Sequence, residues 1–394
     1  MVIDIHTHTF PDKLAATTIP KLEGMSHTRA YVDGTVSGLR TSMARAGVDA
    51  SLVLPVATNP RQVVHVNDSS AQINDLGPET GVYSFGCMHP DFSDYRAELS
   101  RVKELGMKGI KLHPVYQGVD FDDIRTLRIL DRAAELGLIV LTHSGLDIGF
   151  PGEVRVTPKM VLHAIQEVGP LTLILAHMGG WRNWEEVEEL LPYAPVYLDT
   201  SYSLGSIRPL DDGYYKPEDL PMMGEEQFLR IIRTFGYERF LFGTDSPWSG
   251  QQESLERFRA LPLTDEEKDS AFRSYVSGLE EQGKAETYLA TQSLPTQEQL
   301  DAAVAQASAG QTREAMEETM VQAIVQQTGM SQEEITEYTA AMSDEELAEF
   351  ISRIEIGDFG PQVYGKTFCD MCKGQYECDD CRLWWLQQPA EEDT

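Results

Sequence analysis

Eight short apolar runs, spaced by longer and mostly amphipathic stretches, limit how this chain can fold more than any other feature. They cover residues 2–5, 51–56, 82–87, 109–112, 138–141, 171–176, 196–198 and 240–242. Helix-like patterns lie between them at 95–105, 124–136, 157–167, 184–191 and 224–234. Runs without clear alternation suit strands covered on both faces, and strands alternating with helices suit a parallel sheet. Eight such units in this length predict an α/β fold, a closed (β/α)8 TIM barrel. The competing open sheet needs a Gly-rich phosphate loop after the first strand, and here His6-Thr7-His8 stands in that place.

A barrel of this kind builds its site at the C-terminal ends of its strands. Those ends carry His6 and His8, then Lys111-Leu112-His113-Pro114, Thr142-His143-Ser144-Gly145, His177-Met178-Gly179-Gly180, Asp199-Thr200-Ser201 and Gly243-Thr244-Asp245-Ser246-Pro247. The chain has 9 histidines, and five of them fall at these ends, which core packing does not require. Alternation along a strand puts His6 and His8 on one side. Neutral imidazoles with a carboxylate suit zinc and other borderline divalent ions. An ion with one open position binds water and lowers its pKa toward ~7.

Composition removes other classes. Net charge is −31, so nucleic acid and anionic membranes are not expected partners. No apolar run approaches a membrane span, no basic-then-apolar leader opens the chain, and the cysteines form no secreted disulfide framework. The expectation is a cytoplasmic protein acting on a small-molecule substrate.

Taken together and in order, Asp4-Ile5-His6-Thr7-His8, Thr142-His143-Ser144-Gly145, Leu175-Ala176-His177-Met178-Gly179-Gly180 and Phe242-Gly243-Thr244-Asp245-Ser246-Pro247 resemble the amidohydrolase superfamily. The nearest group is the amidohydrolase-2 family, with the aminocarboxymuconate-semialdehyde decarboxylase-like metal-dependent hydrolases. The resemblance covers about residues 1–270. It implies that His6, His8, His143 and Asp245 ligate one metal, zinc for preference. It implies that His177 acts as general base or holds the bound water, with Asp245 sharing the proton transfer. Two alternatives stay open: His177 as a fifth ligand, or His177 ligating in place of His143. In two-metal members a carbamylated lysine bridges the ions, and Lys111 sits where that lysine would. The preferred reading makes Lys111 and His113 a substrate clamp, with Tyr116, Ser201 and Trp248 as further substrate-facing candidates. The resemblance implies metal-dependent hydrolysis of a small cyclic or carboxylated substrate. Non-oxidative decarboxylation at the same metal is the alternative. It also implies a homodimer, although no surface stripe marks an interface.

The last third is compositionally different. Residues 261–394 hold 28 Asp and Glu against 8 Lys and Arg, a net of −20. The expected division is a barrel over 1–285, an acidic helical extension over 286–360 and a Cys-rich tail over 361–394. Thr264 and Glu267 form a capping box that starts a helix, but Ser270–Tyr275 lacks the Asn-Ala-type motif with which the family pattern closes. Cys369, Cys372, Cys378 and Cys381 are spaced like a small zinc knuckle, which predicts a second, structural zinc. The tail could instead dock a protein partner, and a third reading makes the barrel a scaffold for that module.

Overall fold

The computed structural model describes residues 1–273; the helical extension and the four-cysteine cluster lie outside the described residues. Nine strands are described: β1 (Ile3–Thr7), β2 (Ala50–Val53), β3 (Val82–Ser84), β4 (Gly86–Cys87), β5 (Gly109–Leu112), β6 (Ile139–Thr142), β7 (Leu173–Leu175), β8 (Val196–Asp199) and β9 (Phe240–Leu241). All pair in parallel, β1-β2-β3 in one sheet and β4 through β9 in the other. The single apolar run at 82–87 is thus a strand interrupted at Phe85. Its first half pairs with β2 and its second with β5.

The ring closes between the last strand and the first. Ile5 N donates to Phe242 O at 2.9 Å, Asp245 N to His6 O at 2.8 Å and His8 N to Ser246 O at 2.6 Å. Two apolar clusters follow from the pleat. Ile3, Ile5, Leu52, Phe85, Ile139, Leu141, Ile174 and Leu241 form one. Their alternation partners, among them Val140, Leu173 and Leu175, join the larger cluster with helix residues such as Leu127, Leu130, Val161, Phe228 and Ile232. Strands such as β6 and β7 are therefore apolar on both faces, which is why those runs show no period-2 pattern.

Local signals set the helix ends. Asp123 caps Ile124–Leu136 through Arg125 N, and Gly137 ends it in the left-handed region. Thr157 caps Pro158–Val168 through Met160 N, with Pro158 in the first turn. The capping box forms as expected, with Thr264 N donating to Glu267 Oε2 at 2.6 Å and Glu267 N to Thr264 Oγ1 at 3.2 Å. The helix Asp265–Arg273 that it starts packs on the barrel despite the missing motif. Phe272 meets Phe242 and Phe258 at ring-centre distances of 5.4 and 5.2 Å. None of the described helices is long and apolar enough to cross a membrane.

Candidate metal centre

In β1, regular alternation would send His6 the way of Asp4, away from the face that Ile3 and Ile5 present to the inner cluster. A register shift between Asp4 and Thr7 changes this. Such an irregularity re-aims a side chain, and His6 turns onto Lys111, His177 and Asp199. The shift thus turns His6 inward, and His8, two residues on, lies on the same side. Gly243 makes room for His6, since a Cβ there would lie 2.9 Å from His6 Cβ.

His6 Nε2, His8 Nε2 and Asp245 Oδ1 form a tight triangle. The two nitrogens are 3.2 Å apart, and the carboxylate oxygen lies 3.0 Å from His8 and 3.5 Å from His6. Protons can be assigned from partners that only accept. His6 Nδ1 is 2.8 Å from Asp199 Oδ2, and His8 Nδ1 is 2.7 Å from Leu54 O. Both Nδ1 atoms must donate, so in the neutral rings both Nε2 atoms carry bare lone pairs. In that tautomer three acceptors face one another, which a bound cation would satisfy; without one, a proton on His8 Nε2 bonded to Asp245 does so. Ligands held about 2.1 Å from an ion at right-angle to tetrahedral spacing lie about 3.0–3.4 Å from each other. The triangle has that size, so its donor set fits one divalent ion.

His177 joins through His6, with ring centres 5.3 Å apart. Its Nδ1 faces Ser201 O at 3.1 Å and Ser201 Oγ at 2.9 Å, which leaves Nε2 bare toward His143 Nδ1 at 3.0 Å. His143 Nε2 is buried and has no hydrogen-bond partner among the described residues. The structure thus gathers three of the four expected ligand atoms into one triangle and reaches His143 by way of His177.

Burial depresses the pKa of His6, His143 and His177, and positive neighbours add to it, chiefly Lys111 for His6 and His113 for His143. Burial also pushes Asp245 up, but the bond from His8 and the charges of His6, His8 and His177 outweigh it and hold the carboxylate below its usual range. Lys111 is 1% exposed, with Nζ 3.4 Å from His6 Nε2. Burial brings its pKa down to about 8, against the pull of Asp199, Asp245 and Asp147.

His113, Tyr116 and Asp147 make an adjoining wall. His113 stacks on His143 with centres 4.3 Å apart and planes 9° apart, and Tyr116 meets it edge-on at 4.6 Å. Asp147 Oδ2 lies 3.5 Å from His113 Nε2, and burial raises Asp147 to about 7. His113, His143 and Asp147 are close enough together to suggest a second ion. Parallel stacked imidazoles cannot aim in-plane lone pairs at one point, so we read this group as a wall and not as a metal site. Ser201 is fully buried inside the network, whereas Trp248 packs against the outer apolar cluster.

Two acidic residues escaped the sequence reading. Asp199 was visible at a strand end but carried no assignment. Asp147 lies four residues past His143 in a loop, where no spacing rule singles it out. Backbone strain gathers here as well: His177, Met178, Tyr202 and Asp245 have φ of 61°, 55°, 53° and 67°. Non-glycine residues in that region cluster at functional sites.

No curated protein matches this chain. Among solved structures, it is similar to an uncharacterised TIM-barrel protein from Bordetella bronchiseptica, at 16% identity over 71% of this chain and 98% of that one, with a TM-score of 0.55. A manganese-bound 5-carboxyvanillate decarboxylase from Novosphingobium aromaticivorans matches at 13% identity, over 70% and 96% of the two chains, with a TM-score of 0.51. A manganese-bound dihydroxybenzoic acid decarboxylase from Polaromonas sp. JS666 matches at 15% identity, over 74% and 98%, with a TM-score of 0.50. These likenesses carry the barrel fold. The model of the amidohydrolase family matches residues 3–274, and the chain belongs to that family.

Proposed function

We propose that this protein is a metal-dependent hydrolase that acts on a small cyclic or carboxylated substrate through an activated water. The reading rests on one observation: His6 Nε2, His8 Nε2 and Asp245 Oδ1 stand 3.0–3.5 Å apart, the spacing of ligand atoms around one ion. These residues would hold the ion, zinc being our choice for an imidazole and carboxylate set. When bound, the ion supplies Lewis acidity and a water of near-neutral pKa.

The chain's own groups do the rest. Asp245 stays ionised and is placed to take a proton. His177 is neutral, with a bare Nε2 and an Nδ1 held by Ser201, as a general base requires. Lys111 is the buried cation that an anionic substrate group would meet. His113 and Tyr116 supply a flat wall for a ring.

Decarboxylation is the second reading. It is supported by the buried Lys111 ammonium, which suits a carboxylate, and by the decarboxylases among the structures of similar fold. Product analysis separates the two. Chelation should abolish turnover and Zn²⁺ or Mn²⁺ should restore it. A lactone or amide opened with one ¹⁸O taken from solvent water supports hydrolysis. Release of CO₂ from an aromatic carboxylate supports the lyase, and turnover unchanged in metal-stripped protein rejects both.

A further inference from the structure

At the end of β8, Asp199 is fully buried and meets four donors. Oδ1 accepts His177 N at 3.0 Å, Ser201 N at 2.9 Å and the Ser201 hydroxyl; Oδ2 accepts His6 Nδ1 at 2.8 Å. An ionised carboxylate offers about four lone-pair sites; here three donors crowd onto Oδ1, and on Oδ2 the His6 ring is the donor. Asp199 also lies close enough to His6 and His177 for the three to suggest an ion. Its Oδ2, however, is engaged by His6 Nδ1, so it stands behind that imidazole, opposite the Nε2 that faces the triangle.

Its effect passes to two imidazoles. The bond to His6 Nδ1 puts the proton on that nitrogen and leaves Nε2 for the triangle. The Ser201 hydroxyl donates to Asp199, so its lone pairs are left to accept His177 Nδ1–H at 2.9 Å. We propose that Asp199 is the positioning residue of this centre, fixing His6 in the metal-binding tautomer and, through Ser201, orienting His177 beside it. The proposal rests on the metal-centre reading above. Hydrogen-bonded carboxylates behind ligating histidines fix tautomer and ring orientation in this way.

Asp199→Asn is the discriminating change. An amide has one acceptor oxygen for the two it replaces. Keeping that oxygen on the three donors at Oδ1 turns the NH₂ toward His6 Nδ1. His6 then relieves the clash by moving its proton to Nε2, the atom that faces His8 and Asp245. Wrong-tautomer behaviour of this kind follows the same substitution in other carboxylate–histidine pairs.

The test uses the full chain, metal-free, as wild type and Asp199→Asn. Histidine ¹⁵N NMR reads the His6 tautomer, and EPR of free Mn²⁺ reads affinity; Mn²⁺ is chosen because it is poorly held by thiolates such as those of the tail. We expect Nδ1–H at His6 in the wild type, Nε2–H in the variant and roughly 10–100-fold weaker Mn²⁺ binding. Wild-type affinity in a folded variant, or Nε2–H in the wild type, overturns the proposal alone. Should the variant fail to fold, the wild-type tautomer still decides. No Mn²⁺ binding by the wild type would overturn the metal-centre reading and this proposal with it.

Discussion

Thr244 Oγ1 donates to Asp4 Oδ2 at 2.6 Å across 240 residues of sequence. The same carboxyl accepts Thr244 N at 3.0 Å, Gln251 Nε2 at 2.8 Å and His6 N at 3.2 Å. One buried side chain thus ties the first strand to the turn that carries Asp245 and holds the backbone of a ligand histidine. Asp4→Ala strands several buried donors, each worth about 1–3 kcal/mol. We expect a loss of roughly 2–4 kcal/mol in urea unfolding of the metal-free protein. A loss under about 0.5 kcal/mol would mean that the ring is held elsewhere.

The ligand and base roles separate by metal content. His6→Ala and Asp245→Ala should each lose the barrel's ion together with activity. His177→Ala should keep the ion and lose about 10²–10⁴-fold in rate, the usual worth of a general base. Metal analysis on all three variants checks this, and loss of the ion in His177→Ala would make that residue a ligand.

Asp147 gives metal-free stability a pH dependence of known sign. Its folded pKa of about 7 lies above the unfolded value near 3.9, so the native state binds the extra proton between them. Its contribution is full below about pH 4 and is lost as pH rises to about 7, by roughly 2–4 kcal/mol. Urea midpoints of the wild type should fall relative to those of Asp147→Asn as pH rises across this range, against the opposite trend set by the buried histidines. Parallel curves would remove Asp147 as the cause.

Lys111 trades stability for chemistry. Its folded pKa is near 8 against about 10.4 unfolded, so below pH 8 the native state bears the cost of a buried ammonium. In metal-free protein at pH 7, Lys111→Met should be more stable by about 1–3 kcal/mol. That advantage should shrink as pH rises from 8 toward 10, while turnover of an anionic substrate falls. A destabilised variant would show that the ammonium is well paired.

Much of this molecule was legible because each strand is buried on both faces. The runs at 109–112 and 124–136 coincide with a strand and a helix, residue for residue. The run at 82–87 hid its break, because Phe85 is as apolar as its neighbours and only pairing shows the hand-over from β2 to β5. Helices Asp12–Ser26, Val36–Ala46 and Val63–Asp75 drew no notice: their hydrophobic patterns are weak, and the first contains Pro20. Within the site, histidines stood out because they are few and sit at strand ends. Asp147 and the work of Asp199 did not, since a carboxylate's role depends on which donors the fold brings to it. The His6 bulge was equally hidden, because no residue type marks a register shift.

The left-handed backbone at His177 and Asp245 bears on any attempt to redesign this centre. Asparagine, aspartate and glycine enter that conformation cheaply, whereas valine, isoleucine and threonine resist it. Libraries randomised at these two positions and sorted only for soluble expression would enrich the first group with no catalytic selection applied. Part of the apparent intolerance of the site to mutation would then belong to the chain's geometry and not to its reaction.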